Sequence, residues 1–84
     1  MFNGIIFERG VIKKVIKRPK GINLFLKSKI KLKRKDIGIS ISCDGVCLTL
    51  ISVKNAYLEF YLSNETLNRS KFKNIKINDR INLE

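Results

Sequence analysis

The stretch Gly38-Ile39-Ser40-Ile41-Ser42-Cys43-Asp44-Gly45-Val46-Cys47-Leu48-Thr49-Leu50 decides the fold of this chain. Aliphatic residues alternate in it with small hydroxyl and thiol residues, the period of a strand that buries one face and leaves the other free. Asp44-Gly45 divides the stretch, and this dipeptide suits the left-handed positions of a tight hairpin turn. The stretch reads as a strand over 38–42, a turn, and a second strand over 46–53. A plain core strand has no need of Ser40, Cys47 and Thr49 at alternate positions, so the polar face reads as a pocket lining.

Short alternating apolar runs continue on both sides. Ile5-Ile6-Phe7, Val11 to Ile16 and Ile22 to Leu26 read as three strands, separated by Arg9-Gly10 and by Arg18-Pro19-Lys20-Gly21. After the hairpin, Lys54-Asn55 turns the chain into Tyr57 to Leu62, a run rich in aromatics. The segment from Ser63 to Arg69 is the one convincing helical turn, with Ser63 or Asn64 as its cap and Glu65 at its positive end. Ile75 to Ile77, a polar turn at Asn78-Asp79, and Arg80 to Leu83 end the chain with further strand. Many short strands, frequent turns and one short helix predict an all-β fold, a closed antiparallel barrel.

The 84 residues make one domain, 1–84, with no repeat or linker dividing it. No apolar run is long enough to cross a bilayer as a helix. The opening residues carry neither a basic leader nor a cleavage site, so the chain reads as cytoplasmic. The net charge of +11 invites a nucleic-acid reading, and Lys27 to Lys35 is its densest basic run. A compositional drift toward Ile, Lys and Asn accounts for the charge more simply. In sequence order Tyr57, Phe60 and Tyr61 alternate poorly with the lysines, so nucleic acid is the disfavoured partner.

Cys43 and Cys47 are the only cysteines and the chain has no His. That removes Ser–His and Cys–His nucleophile systems and leaves too few ligands for a closed zinc site. By residue type alone Cys47 reads as a small buried hydrophobe, and Ser40 and Thr49 as cross-strand hydrogen-bond partners.

Taken together, five segments resemble riboflavin synthase, specifically its N-terminal lumazine-binding barrel. Met1-Phe2-Asn3-Gly4-Ile5-Ile6 is similar to that family's Met-Phe-Thr-Gly-Ile-Ile opening, and Gly38-Ile39-Ser40-Ile41 to its Gly-Asp-Ser-Ile. Asp44-Gly45-Val46-Cys47-Leu48-Thr49 resembles its Asn-Gly-Val-Cys-Leu-Thr. Glu65-Thr66-Leu67 with Ser70 resembles Glu-Thr-Leu-x-x-Ser/Thr, and Asp79 to Glu84 its Gly-Asp-Arg-Val-Asn-Leu-Glu ending.

The resemblance implies a six-stranded Greek-key barrel that binds 6,7-dimethyl-8-ribityllumazine or riboflavin. In the family enzyme a pair of such barrels, facing across a subunit boundary, dismutates two lumazines to riboflavin and a pyrimidinedione, with no metal or added cofactor. By position, the resemblance places substrate-binding residues at Gly4, Ile5 and Ile6, at Cys47, Leu48 and Thr49, and at Tyr61, Leu62, Ser63, Asn64, Glu65 and Thr66. Cys47 and Ser40 are the expected contacts at the reacting face. The turn after Ser63 is expected to offer free backbone N–H groups to a polar ligand edge.

Several positions depart from the family pattern. Asp44 stands for Asn, Ile39 for Asp, Asn78 for Gly and Asn3 for Thr, and the second barrel and trailing helix of the family lie outside this chain. A lone barrel holds half a site, so a homo-oligomer or docking on a second barrel is the expected partner arrangement. A non-catalytic lumazine- or flavin-binding module is the alternative reading.

Overall fold

A computed structural model describes residues 8–84. Six strands close into an antiparallel barrel: β1 (Glu8–Arg18), β2 (Gly21–Ser28), β3 (Ser40–Cys43), β4 (Val46–Lys54), β5 (Tyr57–Ser63) and β6 (Arg80–Leu83). Around the barrel the order is β1-β2-β5-β4-β3-β6, so among the described residues each strand has a paired neighbour on both sides. The all-β reading and the strand number hold.

Alternation sets the core. Ile22, Leu24 and Leu26 of β2 face Leu58, Phe60 and Leu62 of β5, with Leu48 and Leu50 of β4, Ile41 and Cys43 of β3, Ile12 of β1, and Ile81 and Leu83 of β6. All are buried, and a core this small needs every strand to contribute. Phe72, from a 3-10 turn at Lys71–Asn74, is buried with them. Two bulges adjust the wall. Lys13 is the extra residue between the pairs Ile12–Leu26 and Lys14–Phe25, and Ile51 is extra between Leu50–Phe60 and Ser52–Glu59.

Gly21 shows a close approach that its sequence context hid. It reads as a turn residue, but it pairs with Ser63 in the sheet, and a Cβ there would collide with the Leu62 carbonyl oxygen.

Three element readings change. The break at Arg9-Gly10 does not exist: Glu8–Arg18 is one strand, with Gly10 paired to Ser28 on one side and Ile81 on the other. The expected strand at Ile5 to Phe7 lies outside the described residues. No strand forms over Ile75 to Ile77. There the Asp79 carboxylate accepts from Lys76 N–H at 2.8 Å and Asp79 N–H donates to the Lys76 carbonyl at 3.0 Å, so a turn takes those backbone groups. Asn78 occupies the left-handed region (φ 77), where the family pattern has Gly. Finally, β3 begins at Ser40 rather than Gly38, whose φ of 102 sets it outside strand geometry.

A candidate site on the outer wall of the barrel

The β3–β4 hairpin turns at Asp44 (φ 50) and Gly45 (φ 84), the left-handed pair that its sequence predicts. Its register puts Ser40 opposite Thr49 and Ser42 opposite Cys47, with Ile41 opposite Leu48 between them. Ile41 and Leu48 point into the core, whereas Ser40, Cys47 and Thr49 are exposed. The polar face therefore lies on the outside of the barrel. Cys47 is not the small buried hydrophobe that residue type alone suggested.

Cys43 is the buried thiol. Its sulfur donates to the Ile41 carbonyl at 3.7 Å, and burial, followed by the negative charges of Asp44 and a Cys47 thiolate, pushes its pKa up to about 12. The two cysteines face opposite sides of the wall, so they form no disulfide.

The second side of the site is α1 (Asn64–Asn68). Ser63 is its cap, accepting from Thr66 N–H at 3.2 Å, and its hydroxyl also donates to Thr66 Oγ1 at 3.2 Å. Ser70 donates to the Thr66 carbonyl at 2.8 Å and accepts from Phe72 N–H at 3.2 Å, which chains α1 to the following 3-10 turn. The expectation of free N–H groups after Ser63 is only partly met. Asn64 N–H donates to the Lys20 carbonyl at 2.9 Å and Thr66 N–H to Ser63.

Hairpin and helix enclose an open groove of about 350 Å³, lined by Gly45, Val46 and Cys47 on one side and Glu65, Thr66, Arg69 and Ser70 on the other. Glu65 and Arg69 pair at 3.4 Å across one helical turn and are both exposed, so the groove carries little net charge. Its small hydroxyl and thiol side chains suit an uncharged polar ring edge. Among the described residues no cluster of three or more His, Cys, Asp or Glu is arranged to hold a metal.

The remaining candidate residues divide. Ser40 and Thr49 continue the same outer face one pair further along the strands. The Leu48 and Leu62 side chains are core, at 3% and 1% exposure, so only their main chains can reach a ligand. Tyr61 is exposed on the outer face opposite Asn23, and Asn64 lines a separate depression with Arg18, Leu67 and Phe72 at the barrel end. Gly4, Ile5 and Ile6 lie outside the described residues.

Asp44, at the hairpin tip beside the groove, acts as a structural clamp that the sequence reading missed. The Asp44 carboxylate accepts from Asn82 N–H at 2.9 Å and from the Lys71 ammonium at 2.7 Å, which ties the hairpin tip to β6 and to the 3-10 turn. The sequence marks Asp44 as a turn residue but carries no sign of partners 27 and 38 positions away.

Fold and groove define the class: a small closed antiparallel β-barrel with an open, mostly uncharged groove on its outer wall. A family model described as the lumazine binding domain matches residues 3–84. The chain belongs to that family. It is 32% identical over its full length to a riboflavin synthase of Actinobacillus pleuropneumoniae, of which it covers 39%. It is likewise 32% identical to a riboflavin synthase of Photobacterium leiognathi and 34% identical to one of Chlamydia pneumoniae, over 39% and 42% of their lengths. The chain thus spans about two fifths of the curated relatives it matches. Among the described residues no helix is long and apolar enough to cross a membrane.

Proposed function

We propose that this barrel binds 6,7-dimethyl-8-ribityllumazine in the groove between the β3–β4 hairpin and α1, and that it serves riboflavin biosynthesis. The observation that carries this reading is convergence. The Asp44–Thr49 and Glu65–Ser70 segments, both similar to riboflavin synthase motifs and far apart in sequence, meet at one groove. On this reading Thr66 and Ser70 bind the polar edge of the ring, Cys47 and Ser40 lie along its reacting face, and the Leu48 and Leu62 main chains complete the wall.

Turnover on this reading needs a second barrel. Two lumazines face each other, one gives up a four-carbon unit, and the products are riboflavin and a pyrimidinedione. An open groove fits half of such a site, with the facing barrel excluding water from the reacting pair. A second copy of this chain or another lumazine-binding barrel would supply the other half.

Titrating the protein into the lumazine while following the ligand's own fluorescence tests the binding step, and riboflavin emission tests turnover. Binding without riboflavin leaves a lumazine-binding module in place of an enzyme. No change in lumazine fluorescence at millimolar protein ends both readings.

A further inference from the structure

A second part of the outer wall carries a different chemistry. There β1, β2, β5 and β4 run side by side, and Lys14 pairs with Phe25, Phe25 with Glu59, and Glu59 with Ser52. One row further, Tyr57 sits between Lys27 of β2 and Lys54 of β4. Between these rows lies an open depression of about 600 Å³, lined by Lys13, Lys14, Phe25, Lys54, Tyr57 and Glu59. The bulge at Lys13 gives β1 two successive exposed lysines at its rim.

The two rings differ in use. Phe25 is half-buried with the Lys14 ammonium over it, 5.6 Å from the ring centre, and so forms a floor. Tyr57 is 39% exposed, an aromatic face flanked on both neighbouring strands by cations. The only carboxylate in the depression, Glu59, is held by the Asn23 amide and, at 2.9 Å, by the Ser52 hydroxyl. The two ion pairs among the described residues, Arg69–Glu65 and Lys71–Asp44, lie elsewhere, and residues 1–7 contain no Asp or Glu.

Lys27 leads directly into a basic ridge. Beyond β2 the chain keeps a two-residue alternation: Ile30 and Leu32 pack against the core while Lys29, Lys31 and Lys33 are exposed. Alternate residues of a fully extended chain stand about 6.6 Å apart, so these lysines match the order of the phosphate repeat along an extended single strand. Compositional drift explains how many lysines there are. It does not explain cations in cross-strand register with an exposed ring and continuous with a ridge.

We propose that this wall binds single-stranded nucleic acid. Tyr57 stacks one unpaired base, Lys13, Lys14, Lys27 and Lys54 neutralise the adjoining phosphates, and Lys29, Lys31 and Lys33 carry the backbone onward. A duplex presents no free base face to Tyr57, and a polyanion without bases leaves the ring unused. None of the residues lining this depression lines the Cys47 groove, so the proposal stands apart from the lumazine reading.

Fluorescence anisotropy of a labelled oligothymidylate of roughly twelve nucleotides tests it, with a duplex, inorganic polyphosphate and free thymidine monophosphate as competitors. Seven phosphate contacts predict a log–log salt slope near −5, a loss of roughly 900-fold in affinity between about 50 and 200 mM salt. Tyr57→Ala should weaken binding about tenfold with the slope unchanged, and Tyr57→Phe should retain it. Lys27→Gln with Lys54→Gln should reduce the slope by about 1.4. The proposal is overturned by no binding at about 50 mM salt, by Tyr57→Ala binding like the parent, or by duplex, polyphosphate or mononucleotide competing as well as the single strand.

Discussion

The barrel has two outer walls that share strand β4 and differ in chemistry. Beside Cys47 the outward positions of β3 and β4 are Ser, Cys and Thr, and the two charges of α1 that reach the groove pair with each other. Around Tyr57 the outward positions of β1, β2, β4 and β5 are chiefly Lys, Phe and Tyr; Glu59 there is held by Asn23 and Ser52, and among the described residues no ion pair engages these lysines. Inside, both walls rest on the same aliphatic layer. The inward period sets the barrel while the outward period is free to vary, and it has varied toward a groove of little net charge on one side and a basic aromatic face on the other.

The largest effect should come from a change that damages both walls together. Gly21→Ala forces a Cβ onto the Leu62 carbonyl oxygen, a backbone atom that cannot move without breaking the β2–β5 pairing. We expect a loss of about 3 kcal/mol or more, enough to threaten folding of so small a domain, read as a fall in the denaturant midpoint. Ordinary stability in the variant would show that β2 and β5 are spaced more widely than described.

Asp44→Ala should touch the groove alone. It removes two hydrogen bonds and places Ala at φ 50, a combined cost of about 2–3 kcal/mol, with weaker lumazine binding and unchanged behaviour at the Tyr57 wall. Asp44→Asn keeps the turn and an acceptor for Asn82 but loses the attraction to Lys71, so it should recover most of the stability. Equal losses in the two variants would contradict the clamp.

The two cysteines sharpen the same contrast across the thickness of the wall. Cys47→Ala, at an exposed position, should leave stability within about 0.5 kcal/mol and weaken lumazine binding or turnover several-fold. Cys43→Ala should cost about 1–2 kcal/mol and leave the groove's affinity intact. Equal effects of the two on binding would count against the groove assignment.

Cys43 also predicts a pH dependence. Its folded pKa, raised by burial to about 12 from an ordinary 9.0, keeps it protonated while the unfolded thiol ionises. The stability it contributes is complete below about pH 9 and falls by roughly 1.4 kcal/mol per pH unit between about 9 and 12. Lysines and tyrosines titrate in the same range, so the measurement is the difference between the parent and Cys43→Ala, whose alkaline slope should be shallower. Parallel slopes would show that Cys43 does not carry the alkaline loss of stability.

The smallest change tests the turn beneath the Tyr57 wall. Ala56 sits at φ 70 beside Asn55 at φ 49, a left-handed pair in which Ala carries a steric cost. Ala56→Gly should stabilise by about 0.5–1 kcal/mol in thermal unfolding, with both walls unaffected.

Much of this was legible in the chain. Asp44-Gly45, the Pro19 turn, the run from Tyr57 to Leu62 and the cap at Ser63 each carry a local signal, because turn and cap geometry depend on a few adjacent residues. The resemblance to riboflavin synthase pointed to Cys47 and Thr66, and both line one groove. Other features were not legible. Gly10 looked like a break because a glycine marks a turn or a close approach equally well in sequence. Ile75 to Ile77 had strand composition, but the bonds around Asp79 captured its backbone.

By itself, then, the sequence determined the class of the fold, the hairpin and the residue types of the polar face, all of which rest on periodicity and local backbone preference. Only the tertiary structure decided that the polar face looks outward, that Asp44 clamps Lys71 and Asn82, and that Tyr57 lies between Lys27 and Lys54. Those facts depend on strand order and register around a closed barrel. Neighbours across strands are set by how the whole wall closes, and no run of consecutive residues records them.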